Sequence, residues 1–443
     1  MRKSVPEDAA VGSRLRLARF LSSNKPFIVV WLALFISIAG IGMVSPLLPV
    51  FAEDMGASGI WLGLAFSGFA ITQVPLMPVV GRLSDRFGKK FFLWFGLLIY
   101  TIAAAGYFWS PGYQELVLFR LVSGVGAAMV IPTAFAYVGE LAPSGYEGRY
   151  MGLFNMALIA GFGIGPVLGG TIHDSLGMDA TFVSMGMLST IGMLIVFLLL
   201  PARTSSPGVV PSPGVTKPEE PSTSFASMLR DETMRGVVTF QLVFGLSFGA
   251  VLAFLGIFMM RVMDTSVAQV GIMLSIRTIF NGTLAYPFGL LADRMKRVIL
   301  ISAGMVVMAT GTFSIPWVGS FTLLLGLFMV MGIFESMAMP SVNALAVEKG
   351  RSMGMGSVMG VFNMALSLGL VIGSLAGGVI ESSVGIGWVF RCAAALSFVG
   401  VVVFNVFMRR SARLSKEPLA VLQPSALDSA FSESADARDK QKQ

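Results

Sequence analysis

Cysteine, histidine and charge are all scarce in this sequence. Cys392 is the one cysteine and His173 the one histidine among 443 residues. A lone cysteine excludes a disulfide framework and a cysteine-ligated zinc site. A lone histidine excludes a multi-histidine metal centre, so no metal and no other cofactor is expected. Charged residues make up 12% of the chain, against about 25% in soluble domains. So little polar surface cannot cover a water-soluble globule, and 55% hydrophobic residues exclude a disordered chain. The net charge of +7 suits a membrane surface better than nucleic acid in a chain this apolar. With no nucleotide-binding loop and no Ser/His/Asp set around the single histidine, the chain does not read as an enzyme.

What the sequence has in abundance is long apolar runs. A helix needs roughly 20 apolar residues to cross a bilayer, and twelve such runs are present: 27–51, 60–81, 91–109, 114–140, 148–173, 180–201, 236–261, 267–291, 298–318, 320–347, 353–381 and 386–408. They are too long for barrel strands, and in lipid the backbone must satisfy its own hydrogen bonds, so they are helices. The first run has no obvious cleavage site and is kept as a span rather than a signal peptide. The 51 glycines fit close helix packing in a membrane. Of 31 Lys and Arg, Arg261 falls at an outer edge and Arg120, Arg277 and Arg391 inside spans. All the others fall on the side of the chain ends, which places both termini in the cytoplasm of a multi-pass cell-membrane protein.

Residues 202–234 form the longest polar break, rich in Pro, Ser and Thr, and read as an extended linker. The expected organisation is a cytoplasmic segment 1–26, a six-helix bundle 27–201, the linker 202–234, a second six-helix bundle 235–408 and a polar tail 409–443.

The two bundles repeat. With an offset of 208 residues, MGLFNMALIAGFGIGPVLGGTI (151–172) lies over MGVFNMALSLGLVIGSLAGGVI (359–380), and 13 of these 22 positions are identical. The same offset pairs Asp85 with Asp293, Arg86 with Arg294, Gly124 with Gly332, Pro132 with Pro340, Glu140 with Glu348 and Gln73 with Asn281. The expected fold is therefore an all-α membrane protein with twelve transmembrane helices in two pseudo-symmetric six-helix bundles. Repeats of this kind rock against each other around a central site.

Particular motifs narrow this. GRLSDRFGKK (81–90), between spans 2 and 3, resembles the signature loop of the major facilitator superfamily, and GLLADRMKR (289–297) is its partner in the second half. RLVSGVGAA (120–128) resembles the family's second motif, GFGIGPVLGG (161–170) the antiporter motif of its fifth span, and GMVSPLLP (42–49) the proline motif of span 1 in the twelve-span drug:proton antiporters. The second copy of the span-5 motif departs from the first, with Ser374 where Pro166 stands. Span 1 also lacks the deep carboxylate of some drug exporters.

The resemblance implies roles. Asp85 would meet the N-terminus of span 11, near Gly354–Gly356, as a latch when the cytoplasmic side closes, and Asp293 would do the same toward span 5 near Gly148. A carboxylate there gains roughly 0.3–2 kcal/mol from the helix dipole. Gly81 and Gly88 would permit tight turns, and Arg86 and Arg294, with their basic neighbours, would face anionic headgroups. Gly161, Gly165, Gly169 and Gly170 lie on about one helical face, and with Pro166, which removes a backbone hydrogen bond, they would build a tight half-to-half seam. Arg120, a motif position, is implied in proton coupling.

The deep charges are the sharpest signal. Only Glu335, in span 10, is an acidic residue near mid-span, and its repeat position is Ala127. An ionised carboxylate is expensive there, so it either exchanges a proton or pairs with a cation. Arg277, mid-span 8, is the candidate partner or the anchor for an anionic substrate. Arg391 reads as an interfacial anchor, His173 as a surface residue, and Gln73, Asn155, Asn281 and Asn363 as interhelical glue. Phe66, Phe69, Phe154, Phe244, Phe248 and Phe362, with the 29 methionines, are candidate lining for a permissive pocket.

The expected function is proton-coupled export of small apolar or amphipathic solutes by alternating access, in a monomer whose partners are the substrate, protons and the bilayer. The rival is an importer or symporter of a small organic anion on the same fold. A membrane sensor that moves nothing is the distant third.

Overall fold

The computed structural model describes residues 24–142, 147–201 and 228–414. Within these, the side chains of Asp85, residues 147–149, Tyr286, Leu290, residues 292–294, Arg351, Met355 and Gly356 lie outside the described set. So do the bulk of the predicted N-terminal segment, the linker over 202–227 and the tail from 415. The described chain is helical and carries no strand. The long helices are α1 (Lys25–Asp54), α2 (Ile60–Phe87), α3 (Lys89–Trp109), α4 (Tyr113–Leu141), α5 (Glu147–Leu176), α6 (Met178–Leu199), α7 (Glu232–Met263), α8 (Val267–Arg294), α9 (Arg297–Ser314), α10 (Phe321–Met353), α11 (Met355–Val384) and α12 (Ile386–Leu414).

Among the described residues, eleven of these are long and apolar enough to cross a membrane, and α8 is not in that set. It carries Gln269, Ser275, Arg277, Thr278 and Asn281, the composition of a helix that turns a polar side toward protein rather than lipid. Several helices outrun the apolar runs that mark them. α2 continues to Phe87 and α10 to Met353, because a helix goes on past the bilayer until a stop signal ends it. α7 begins at Glu232, inside the expected linker, with the Asp231 side chain accepting from Met234 N at 2.9 Å as its N-cap.

α1 is interrupted at Ser45–Leu47, where Pro46 has no N–H to give. Gly88, at φ 96°, ends α2 and starts α3 in a single residue, a backbone that L side chains rarely adopt. Gly81 does not share that role. It lies inside α2, so the signature stretch is mostly helix with one glycine corner rather than a loop.

Each half packs in the same pattern. α1 lies against α5 and α6, and α4 against α2 and α3; correspondingly α7 lies against α11 and α12, and α10 against α8 and α9. The halves meet along two antiparallel pairs, α5 with α8 and α2 with α11. Small residues bring these backbones together. A β-carbon at Gly271 would stand 2.1 Å from the Pro166 carbonyl oxygen, and one at Gly63 2.4 Å from that of Ser374. These contacts are repeat-related, so Ser374 occupies in one seam the place of Pro166 in the other.

Along α5 and α8 the register runs from Gly170 against Val267, through Gly163 against Thr278, to Ile159 against Gly282. It stops there. Gly152 and Gly289, next on the same stripe, have open space where a β-carbon would stand, as do Gly81 and Gly360 on α2 and α11. These four glycines are two repeat-related pairs. Among the described residues, the halves are sealed on the face away from Asn24 and Leu414 and parted on the face that carries them.

Candidate functional site

α8 and α10 cross closely because Gly332 offers no side chain: a β-carbon there would stand 2.7 Å from the Arg277 carbonyl oxygen. One turn along α10, Glu335 faces Arg277 across this crossing. Arg277 Nε donates to Glu335 Oε2 at 2.8 Å, and both residues are buried, at 5% and 9% exposure. The Arg277 guanidinium lies 5.2 Å from the ring centroid of Phe248 on α7, a cation–π arrangement. Its Nη1 is buried with no hydrogen-bond partner among the described residues. Phe248 is the end of a stacked ladder, Phe240–Phe244–Phe248, with centroids 6.0 and 5.4 Å apart.

Two charges inside a span are tolerated when they neutralise each other, and the unpartnered Nη1 leaves the guanidinium able to donate to a second oxygen. Without the Glu335 charge, Arg277 would keep the Phe248 contact but lose its counter-charge. The arrangement is a buried, addressable ion pair on three helices of the second half.

Arg120 stands apart from it. Nε and Nη2 donate to the Phe66 carbonyl at 3.1 and 3.0 Å, Nη2 also donates to Ser45 Oγ at 3.1 Å, and the guanidinium lies 4.7 Å from the Phe69 centroid. It ties α4 to α2 and to the break in α1. The repeat offset sets Phe69 over Arg277 and Arg120 over Phe328, so each half holds one deep arginine, on different helices.

The span-5 glycines divide between two neighbours, which corrects the expectation of one half-to-half seam. Gly161, Gly165 and Gly169 face Ile38–Met43 of α1 in their own half. Gly170 is turned about 100° further round the helix and packs on Val267 and Ala268 of α8, while Pro166 receives Gly271. Spacing of i, i+4, i+8 places three residues on one face and says nothing of which helix fills it.

Of the signature-stretch residues, Arg86 is exposed, its guanidinium 5.6 Å from the Phe87 centroid. The side chains of the expected latches Asp85 and Asp293, and of Arg294, lie outside the described set. Flanking them are repeat-related ion pairs that sequence reasoning missed: Lys89–Glu140 at 2.5 Å and Arg297–Glu348 at 2.9 Å, each clamping the start of α3 or α9 to the end of α4 or α10. The offset already pairs the two glutamates, and it also pairs the two cations, which was the available signal. Asn155 and Asn363 each bond the carbonyl four residues back, Met151 and Met359, and are exposed, so they are not the interhelical glue expected of them. Arg391 lies between Trp317 and Trp388, 4.7 and 4.9 Å from their rings, as suits an interfacial anchor.

The model of the Major Facilitator Superfamily matches residues 30–255 and 237–433. An uncharacterized MFS-type transporter of Methanocaldococcus jannaschii is 26% identical over 385 residues, 86% of this chain and 98% of that one. The quinolone resistance protein NorA of Staphylococcus aureus is 31% identical over 187 residues, 42% of this chain and 48% of that protein. Among solved structures, an inward-facing, unoccupied bacterial homolog of the human lysosomal transporter Spinster superposes with a TM-score of 0.74 at 13% identity, covering 88% of this chain and 97% of that one. A POT family transporter bound to 5-aminolevulinic acid gives 0.72 at 13% identity, covering 89% and 97%.

Proposed function

The chain belongs to the Major Facilitator Superfamily and is a multi-pass membrane transporter of small molecules; we propose that it exports small apolar or amphipathic solutes in exchange for protons by alternating access. The observation that carries this reading is the buried Arg277–Glu335 pair, 2.8 Å across, held under Phe248. In the proposed cycle the chain ends lie in the cytoplasm of a cell-membrane monomer, and the parted face is the cytoplasmic one. A proton arriving at Glu335 cancels its charge and breaks the ion pair. The freed guanidinium and the aromatic ladder then present a different surface to solute, so proton and solute compete for one site. Inward proton flow drives outward solute movement.

Asp85 and Asp293 act as latches on the cytoplasmic side when it closes, each against a helix N-terminus of the other half. The open register at Gly152/Gly289 and Gly81/Gly360 leaves room for that approach. Arg120 holds α4 to the break in α1, and its part in proton coupling is to keep that break in place while the halves move. The relation to NorA, a quinolone resistance protein, supports the direction of transport.

A second reading is favoured by the partnerless Nη1 of Arg277. A buried unpaired donor suits an anionic solute oxygen, which would make the protein a proton-coupled importer of a small organic anion. Transport in vesicles under an imposed pH gradient separates the two. Export requires accumulation of a lipophilic cation such as tetraphenylphosphonium in inverted vesicles acidified inside, abolished in Glu335→Gln. Uptake of benzoate with protons, and none of the cation, would replace the first reading by the second.

A further inference from the structure

The sealed face is fastened by polar groups as well as by glycines. Asp174, near the end of α5 in the first half, accepts from Val267 N at 3.2 Å and from Ala268 N at 3.0 Å. These are the first two N–H groups of α8, in the second half. Ser266 and Gln269 close a capping box on the same helix start, so the carboxylate of the opposite half takes donors that the helix's own cap leaves free. His173 Nδ1 lies 3.4 Å from Asp174 Oδ1.

Nearby, Arg261 at the end of α7 pairs with Glu53 at the end of α1, across the halves, and with Glu381 of α11 at 3.0 Å. Glu53 and Arg261 are repeat-related by the 208-residue offset. Repeat-related residues touch only near the pseudo-two-fold axis, and here the two copies carry opposite charges. The other seam is uncharged at the matching place. Ser382 stands where Asp174 would, and its Oγ would lie 3.2 Å from a β-carbon at Gly59.

We propose that Asp174 and Arg261 form a one-sided clasp that must release before the sealed face can open. This rests on the alternating-access reading above. Asp174 and Arg261 are partly exposed, with side-chain exposures of 30% and 47%, so both return to water on release, while Glu53 and Glu381, at 17% and 9%, gain water only as the face opens. Opening then begins at α5 and α8, with the α2–α11 seam following.

The test uses the full-length protein with Cys392→Ala and Ser374→Cys. Ser374 is fully buried in the α2–α11 seam, so a membrane-impermeant maleimide added from the face opposite the chain ends reports opening of that face. Asp174→Ala is expected to raise the labelling rate about fivefold, the shift expected on losing one contact to a helix terminus. Asp174→Asn should fall between it and the parent, and Arg261→Gln should also label faster. Asp179→Asn, at the start of α6 and outside the clasp, should label at the parent rate. Parent-rate labelling of both Asp174→Ala and Arg261→Gln overturns the clasp, as does an equal rise in Asp179→Asn. Failure of alternating access looks different: no variant and no imposed pH gradient labels Ser374→Cys at all while transport proceeds.

Discussion

A buried ion pair is weak evidence for stability in itself, since paired hydrophobic residues of similar volume often hold a fold as well, whereas removing one partner strands a charge at a cost of about 3–5 kcal/mol. For Arg277 and Glu335 this separates structure from function. Arg277→Met alone should lower thermal stability by that order, and the double variant Arg277→Met/Glu335→Met should recover most of it. Transport should remain lost in both, measured in the same preparations. Recovery of transport along with stability would make the pair structural. Gly332→Ala addresses the same site from beneath. Its β-carbon meets the Arg277 carbonyl oxygen at 2.7 Å, a backbone atom that cannot swing aside. The expected destabilisation is about 1–3 kcal/mol, with loss of transport, read by thermal unfolding and flux. At this scale the sequence was informative about which residues matter and silent about their partners. Glu335 and Arg277 stand out as charges in apolar runs. That Arg120 spends its donors on the Phe66 carbonyl and Ser45 follows from how α1 breaks, which no spacing encodes.

Between elements, the glycines of α5 serve two contacts. A β-carbon at Gly169 would stand 2.3 Å from the Met43 carbonyl oxygen, within one half, and at Gly170 2.5 Å from that of Val267, across the halves. Gly169→Ala should therefore weaken the first bundle, lowering its unfolding temperature with little change in which face is open. Gly170→Ala should part α5 from α8 and increase access from the sealed face, read by labelling of Ser374→Cys. If the two variants behave alike, the division of the seam is wrong. The pairs Lys89–Glu140 and Arg297–Glu348, whose glutamates are 50% and 67% exposed, are expected to matter less, with Glu140→Gln changing stability by under about 1 kcal/mol. The helices themselves were legible because lipid forces apolar runs of fixed length. Their ends were not, since α2 and α10 run on into water where hydropathy gives no signal. Gly81 reads as a turn in the sequence yet lies within α2, and of the pair Gly81 and Gly88 the second alone has a positive φ.

On the scale of the whole molecule, duplication explains most of the architecture. One offset relates the Pro166–Gly271 and Ser374–Gly63 contacts, the two clamping ion pairs and the four glycines of the parted face. The internal repeat was plain in the sequence, so the two-bundle fold was within reach before any coordinates. Which face is parted was not, because that depends on how α5 packs on α8 and α2 on α11, which the repeat leaves open. The symmetry is broken at Glu335, opposite Ala127, and at Asp174, opposite Ser382, the residues on which the two proposals above rest. The measurement that bears most directly on the proposed exchange of proton for solute at Glu335 is solute-triggered proton release from the purified protein, followed with a pH indicator in weakly buffered detergent solution. Addition of tetraphenylphosphonium should release protons from the wild type and none from Glu335→Gln. Equal release from both proteins, or solute binding to the wild type without any release, would contradict it.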